Sequence, residues 1–462
     1  MKHAIQILLL VLIPVFTVQA QIDLPEALRI PIDNALEKSA TIKNKNLDVE
    51  KVQMERNAVL NKYIPKIEAV GGYAYFDTEI TVDVPTMTLP ITGMELFDGK
   101  SSFDNSGNAL HGGIMAKTVL FSGMQIPNGA KALQQKAVGD SLLIETDRDK
   151  IIADVVESFD ALILIEATQR LIDDSDRRLQ KEELRVSKGT ENGLAVPFDR
   201  DKIKLARLDL ESKQVELSET KNVLLRKIHY LTGLTPAEIE MVAYELEPFI
   251  LQENLTAEHK QEIDALQAYK NASEYLVKKE KGSYLPTVGA FAGVSYTNLF
   301  NVQMDNFSKW PLPTPQPELQ LDQFSAFPTF TAGVVLRWQI SGGFERKHKV
   351  KAASINVRQI QNKIDDSKEQ LNLLLEHKKA GYTAQWKKME IVKQQQVIAQ
   401  NNLVLAEKQY AQGLISVTER LEAENDHYMA EQKNTQVLID QRQSALETLQ
   451  VTGRVYDQIN FR

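Results

Sequence analysis

The chain has no cysteine among its 462 residues, so disulfide staples, thiolate catalysis and Cys-ligated zinc are excluded. Its seven histidines lie far apart and form no HxxxH pair. No GxxxxGK, GxSxG or dinucleotide fingerprint occurs, so the short motifs of phosphate, acyl-transfer and nicotinamide chemistry are missing. The acidic run at 173–176 lies within a helical heptad pattern and reads as a solvated face. Residue chemistry therefore points to no enzyme, no cofactor and no metal. Basic residues are slightly outnumbered, 54 against 62 acidic ones, for a net charge of −8. No basic stripe is present to neutralise phosphates, which excludes nucleic acid as a partner. After residue 20 no apolar run reaches the ~20 residues that a spanning helix needs. Entry into a membrane would have to be as β-strands. Proline is absent from 128–196 and from 339 to the end, which leaves room for very long helices.

What is present begins at the N-terminus. A weakly basic start, Met1-Lys2-His3, precedes an apolar run of about 13 residues and the small-residue pattern Val18-Gln19-Ala20. The spacing predicts a signal peptide over 1–20, cut after Ala20. Gln21 in place of Cys implies no lipid anchor at the new N-terminus.

The rest of the sequence repeats itself. Gly193-Leu194 overlays Gly413-Leu414, Ser122-Gly123 overlays Gly342-Gly343, and HYLTG at 229–233 overlays LQVTG at 449–453, each 220 residues on. KYIPKIEAVGGYAYF at 62–76 overlays SYLPTVGAFAGVSYT at 283–297 at 221. An offset this steady implies a tandem duplication, with one repeat over 21–240 and the next over 241–462. Each repeat opens on a helix (about 32–62 and 257–282). Two strand-like runs and a long helical hairpin follow, with tips near 189–197 and 412–418.

The helices are read from period. Ile165, Ile172, Leu179 and Val186 are sevens apart, as are Ile203, Leu210, Leu217, Leu224 and Leu231. Leu375, Tyr382, Met389, Leu403 and Tyr410 share one seven-residue lattice. Sustained heptads with charges between them describe coiled-coil packing. The strands are read from alternation, at about 67–76, 110–121, 287–298 and 328–340. In the last, Phe330, Ala332, Val334, Leu336, Trp338 and Ile340 face one way and Thr329, Thr331, Gly333, Arg337 and Gln339 the other, with Val335 as the exception. Strands of about 10 residues, apolar on one side and rich in Gly and aromatics, match outer-membrane strands. Tyr73, Tyr75 and Trp338 suit an interfacial aromatic belt. The polar, aperiodic stretches 77–109 and 298–326 read as long extracellular loops.

Four strands cannot close a barrel, and an open edge in lipid leaves backbone groups unsatisfied. The chain must therefore pool its strands with copies of itself. Signal peptide, duplicated half, Y-[IL]-P before a strand, SG or SGG after one, and YxxGLxSxxxxLxA at Tyr410 to Ala423 together resemble the TolC-like outer membrane efflux family. The resemblance covers essentially all of the mature chain. It implies a mixed α and β membrane protein. Three protomers would share a twelve-stranded outer-membrane β-barrel, four strands per chain, continued by a long periplasmic α-helical barrel. It also implies an exit duct of a tripartite efflux or type I secretion system, passive in itself. Its partners would be a homotrimer mate, outer-membrane lipid, a periplasmic adaptor and an inner-membrane transporter. The rival reading is a secreted or periplasmic structural coiled-coil protein without channel activity.

The same resemblance puts the two Gly-Leu phrases at the periplasmic tips. Gly193 and Gly413 can take the left-handed conformation that ends a helix, Pro197 suits a first helical turn, and Ser416 or Thr418 suits an N-cap. Gly193, Leu194, Ala195, Gly413, Leu414, Ile415 and Ser416 are the expected adaptor-docking residues. Asp199, Arg200, Tyr410, Glu419, Arg420 and Glu422 are the expected gate, the acids forming rings that select cations. Where the family often has Asp this chain has Glu419.

Overall fold

The computed structural model describes residues 22–83, 87–88, 91, 93, 95–97, 100–193, 196–252, 255–257, 260–305, 319–453 and 455–462. The expected signal peptide lies outside them. In chain order come β1 (Ile22–Leu24), α1 (Arg29–Lys38), α2 (Ala40–Leu60), β2 (Lys66–Asp83), β3 (Met87–Thr88), β4 (Glu95–Phe97) and β5 (Lys100–Phe121). Then follow α3 (Gln125–Glu191), α4 (Pro197–Thr232), α5 (Pro236–Met241) and α6 (Gln261–Gly282). The chain closes with β6 (Thr287–Asp305), β7 (Leu319–Arg337), α7 (Glu345–Ala411), α8 (Val417–Thr452) and β8 (Ile459–Phe461). In each half a helix of 67 residues is followed by one of 36. The chain divides into two units, Met1–Lys51 with Gln135–Lys270 and Arg358–Arg462, and Val52–Gln134 with Asn271–Val357.

The first unit is helical and packs as its heptads require. Ile165, Ile172, Leu179 and Val186 of α3 are buried, as are Ile203 and Leu210 of α4 and Leu375 and Leu403 of α7. One cluster gathers Ile172, Leu179, Val186, Ile203, Leu210 and Val417, so α3, α4 and α8 share a seam. A larger cluster joins Leu28, Ile32, Phe159, Ile228, Leu446 and Val455. The chain ends meet here: β1 and β8 pair in parallel, Ile22 opposite Ile459. The expected helix over 32–62 is two helices, α1 and α2, because Ser39 leaves the helical region (ψ 116°) and its hydroxyl caps Ile42.

The second unit contains an antiparallel sheet ordered β2-β5-β6-β7. Directly paired residues point to the same side. Ile114, Val294 and Phe330 form one row, with Ala69 beside Ile114, and Thr118, Ala290 and Val334 form another. Ile67, Tyr73, Tyr75 and Leu336 share that side and are exposed. The other side carries the rows Gly113–Ser295–Thr329 and Met115–Gly293–Thr331, and the His111–Thr297 pair. It also carries Lys117, whose Nζ lies 3.0 Å from Glu68. So one side is mostly apolar, and the other mixes small and polar residues with Val70, Phe291, Val119 and Val335.

The strands are longer than the apolar runs. β2 and β5 stay paired through Asp83 and Lys100, and β6 and β7 through Met304 and Leu319. The described residues of 77–109 and 298–326 are therefore largely strand, not loop, and 306–318 lie outside them. Hairpin pairing continues past the apolar band because backbone hydrogen bonds, not side-chain hydropathy, hold it. β7 ends at Arg337, leaving Trp338 and Ile340 beyond it. Trp338 donates its indole N–H to the Tyr284 carbonyl at 3.1 Å. No described helix is long and apolar enough to cross a membrane.

Candidate functional site

The two Gly-Leu phrases are the turns between α3 and α4 and between α7 and α8. Gly193 has φ +72° and Gly413 φ +75°, the left-handed region that residues with a Cβ resist. Both amides close the preceding helix, Gly193 N–H onto Thr190 and Gly413 N–H onto Tyr410, at 3.1 and 3.0 Å. The returning helices start differently. α4 has Pro197 in its first turn and no side-chain cap on Val196. α8 has a full capping box. Ser416 Oγ accepts the Glu419 N–H at 3.3 Å, and Glu419 Oε2 accepts both the N–H and the hydroxyl of Ser416 at 2.7 Å. Ser416, rather than Thr418, is the cap.

The turns are adjacent. Lys202 donates to the Thr418 hydroxyl at 2.6 Å. Arg185 donates to the Ala411 carbonyl at 2.7 Å and lies 5.8 Å over the Tyr410 ring. Tyr410 is half-buried, and burial, then the charges of Glu182 and Asp199, push its phenol up. Tyr410, Asp199 and Arg420 thus share one electrostatic neighbourhood. Leu414 is 68% exposed and Phe198 64%. Ile415 is half-buried, and Leu194 and Ala195 lie outside the described residues.

The charged residues separate into three environments. Glu419 and Glu422 are exposed, Glu419 held low by the Ser416 N–H and hydroxyl. Arg200 turns to its neighbour Asp201 at 3.0 Å and stays exposed. Arg420 is buried, 1% exposed. Its Nη2 lies 3.0 Å from Glu424 and 3.6 Å from Glu407. Glu424, also buried, takes two nitrogens of Arg178 at 2.7 and 3.1 Å. Burial would raise the Glu424 carboxyl, but hydrogen bonds and charge from Arg178, then the charge of Arg420, hold it below the usual range. This Arg178–Glu424–Arg420 chain ties α8 to α3 beneath the turn.

The half-buried Arg178 and buried Glu424 escaped the apolar heptads, as did a fully buried pair, Arg442 with Asp160 at 2.6 Å. Arg442 also donates to the Glu247 carbonyl at 2.8 Å and lies 3.8 Å over the Phe249 ring. The signal was available. Continuing from Val417 by three and four residues gives Arg420, Glu424 and His427, all buried. Among the described residues no group of three or more His, Asp or Glu side chains is placed to hold a metal ion.

The family profile described as outer membrane efflux protein matches residues 254–454, from the linker before α6 to the end of α8. The chain resembles the TolC-like outer membrane efflux family. No curated protein sequence matches it. Among solved structures, CusC is 12% identical with a TM-score of 0.70, and 93% of each chain is covered. The outer membrane channel CmeC of Campylobacter jejuni is 13% identical with a TM-score of 0.68, over 94% of this chain and 87% of its own. VceC, an outer membrane protein of Vibrio cholerae, is 14% identical with a TM-score of 0.62, over 92% and 95%. At these identities the likeness is one of fold: long helices with an antiparallel sheet. TolC-like efflux proteins are outer-membrane channels with a large periplasmic helical part, and not enzymes.

Proposed function

We propose that the chain is the outer-membrane exit duct of a tripartite efflux or type I secretion system. Three copies pool their strands into a twelve-stranded barrel, and their helices continue it as a helical barrel through the periplasm. The segment 1–20 is removed on export, and the two halves derive from one duplicated unit. The duct conducts passively, with energy supplied by a separate inner-membrane transporter.

The sheet carries this reading. Its apolar side is exposed, and among the described residues β2 pairs only with β5 and β7 only with β6. In lipid each unsatisfied backbone group at those edges would cost several kcal/mol, so a free edge is not sustainable there. The natural partner for the β2 edge is the β7 edge of a second copy. Four strands per chain fall short of the about 8 in the smallest outer-membrane barrels, and three copies give twelve.

The helices support the same assembly. On α4, the exposed Leu205, Leu208, Val215, Val223 and Tyr230 fall within an arc of about 80°, roughly opposite the buried Ile203, Leu210 and Ile228. On α7, the exposed Leu373, Ile391, Ile398 and Leu405 fall within about 40°, away from the buried Val392, Ala399 and Leu403. Each helix has one apolar stripe packed within the chain and one left over. Two different leftover stripes suit a head-to-tail ring, in which α4 of one copy meets α7 of the next.

At the turns, exposed Leu414 and Phe198 with the half-buried Ile415 offer an apolar docking surface to the adaptor. Asp199, Glu419 and Glu422 are the acids that would face the passage, with Tyr410 in the field of Asp199, while Arg200 pairs with Asp201 and Arg420 braces the turn through Glu424 and Glu407.

The absence of cysteine makes the test clean. Single cysteines at Val70 in β2 and at Thr331 in β7, combined in one chain, should give oxidised ladders ending at three copies in outer-membrane fractions. A sample that stays monomeric and soluble would contradict the duct and favour the structural coiled-coil alternative.

A further inference from the structure

Far along α3 from the turns, the helical unit buries a carboxylate that forms no ion pair among the described residues. Asp149 is 4% exposed. Its Oδ1 accepts the backbone N–H of Val455 at 2.9 Å, and its Oδ2 lies 3.4 Å from Nε2 of Gln261. Its own carbonyl accepts Nε2 of Gln450 at 3.2 Å. Three stretches of chain therefore converge on one side chain: α3, the first residue of α6, and the C-terminal segment. That segment continues through Tyr456, 3.3 Å from Asp33, to β8 on β1, where Arg462 N–H reaches the Leu24 carbonyl at 2.9 Å.

The cluster holds more acceptors than donors. Gln261 is fully buried, and its Oε1 has no hydrogen-bond partner. Oε2 of Glu262 is likewise buried and unmatched. The nearby cation, Lys260, directs its Nζ to the Gln450 carbonyl and lies 3.5 Å from Glu262. An ionised Asp149 brings only further acceptors, whereas a protonated one brings an O–H donor. A half-turn of the Gln261 amide presents its oxygen to that donor. A carboxylate buried this deeply without a paired cation favours the neutral form, against the pull of the Val455 and Tyr456 N–H groups and of Gln261.

We propose that Asp149 is a proton-operated clasp, which takes up a proton in acid and then holds the C-terminal segment and the start of α6 more tightly to α3 than at neutral pH. The step moves one proton from solvent to Oδ2 and forms no other covalent bond. The charged and titratable groups around it are Lys260 and Glu262, Arg148, which lies 5.4 Å over the Tyr456 ring, and Tyr456 with Asp33. Arg454 adjoins Val455 in sequence and lies outside the described residues.

The direction is fixed by burial, which pushes Asp149 from 3.8 up to about 6, against the opposing pull of the Val455 N–H and Lys260. A pKa raised on folding adds stability that is complete below the unfolded value and is lost as pH rises through the folded one. The clasp is thus tightest in acid and loosens through about pH 6. The setting suits it, because water-filled pores in the outer membrane expose the periplasm to the pH outside. The clasp does not depend on the duct reading.

The test uses the full chain with a nitroxide on Asp457→Cys, an exposed site in the clasped segment of a protein that has no other thiol. Spectra from pH 4.5 to 8 should sharpen as pH passes about 6, and Asp149→Asn should abolish that change. A flat response in the parent, or the same response in Asp149→Asn, overturns the clasp. If Asp149→Asn does not fold, Lys260→Gln carries the test. Removing the cation whose charge holds the Asp149 carboxyl down should move the transition to higher pH, and an unmoved transition overturns the proposal.

Discussion

Glu419 and Arg420 are neighbours in sequence with opposite surroundings, one exposed and held by a cap, the other 1% exposed and ion-paired. Hydropathy cannot separate them, because it scores every charge as surface. The heptad frame can, since Val417, Arg420 and Glu424 repeat by three and four, but only if charged residues are admitted to the inner positions. What justifies them is Arg178, 246 residues before Glu424, and a single sequence gives no sign of that pairing. Removing one member of a buried pair leaves a charge uncompensated. Glu424→Ala should therefore cost about 3–5 kcal/mol in denaturant unfolding of the helical unit. Arg200→Ala breaks only an exposed contact and should change stability by less than about 1 kcal/mol. The acids need a different probe, because Glu419→Ala would also remove the cap. Glu419→Gln with Glu422→Gln keeps the capping box and removes two charges. The reversal potential under a salt gradient should then show weaker cation preference, and an unchanged potential would take these acids out of the passage.

At the scale of elements, period was the informative signal. Heptads identify α3, α4 and α7, since the positions that repeat by seven are buried in α3 and buried or half-buried in α4 and α7. The antiparallel sheet is legible in the alternation of Phe330, Ala332, Val334 and Leu336, which share one side with Val294 and Ala290 in the paired strand. Strand ends are not legible, because pairing runs on into polar sequence such as Thr81 opposite Ser102. The break at Ser39 is equally hidden, as a single serine inside a helical pattern gives no warning. The two sides of the sheet respond differently to charge. Val334→Lys places an ammonium on the apolar side and should cost about 2–4 kcal/mol if it sits near the bilayer centre. Thr331→Lys, on the polar side beside Gly293, should be tolerated. Folding titrations in lipid vesicles separate the two. Equal costs would mean that neither side meets lipid.

At the scale of the whole molecule, the proposed duct needs more than one chain. One chain leaves two sheet edges without strands and two helical stripes without partners, among the described residues. The efflux-channel fold and the outer-membrane location could be read from the order and spacing of phrases whose individual residues are unremarkable. Copy number could not, because closure is a property of several chains and leaves its trace in one chain only as an edge and a stripe. The central claim is that assembled copies form a continuous water-filled passage. Conductance of the purified assembly in a planar lipid bilayer tests it most directly. The account predicts discrete, long-lived current steps whose cation preference falls in Glu419→Gln with Glu422→Gln. A bilayer that stays sealed while the protein is demonstrably inserted would contradict it.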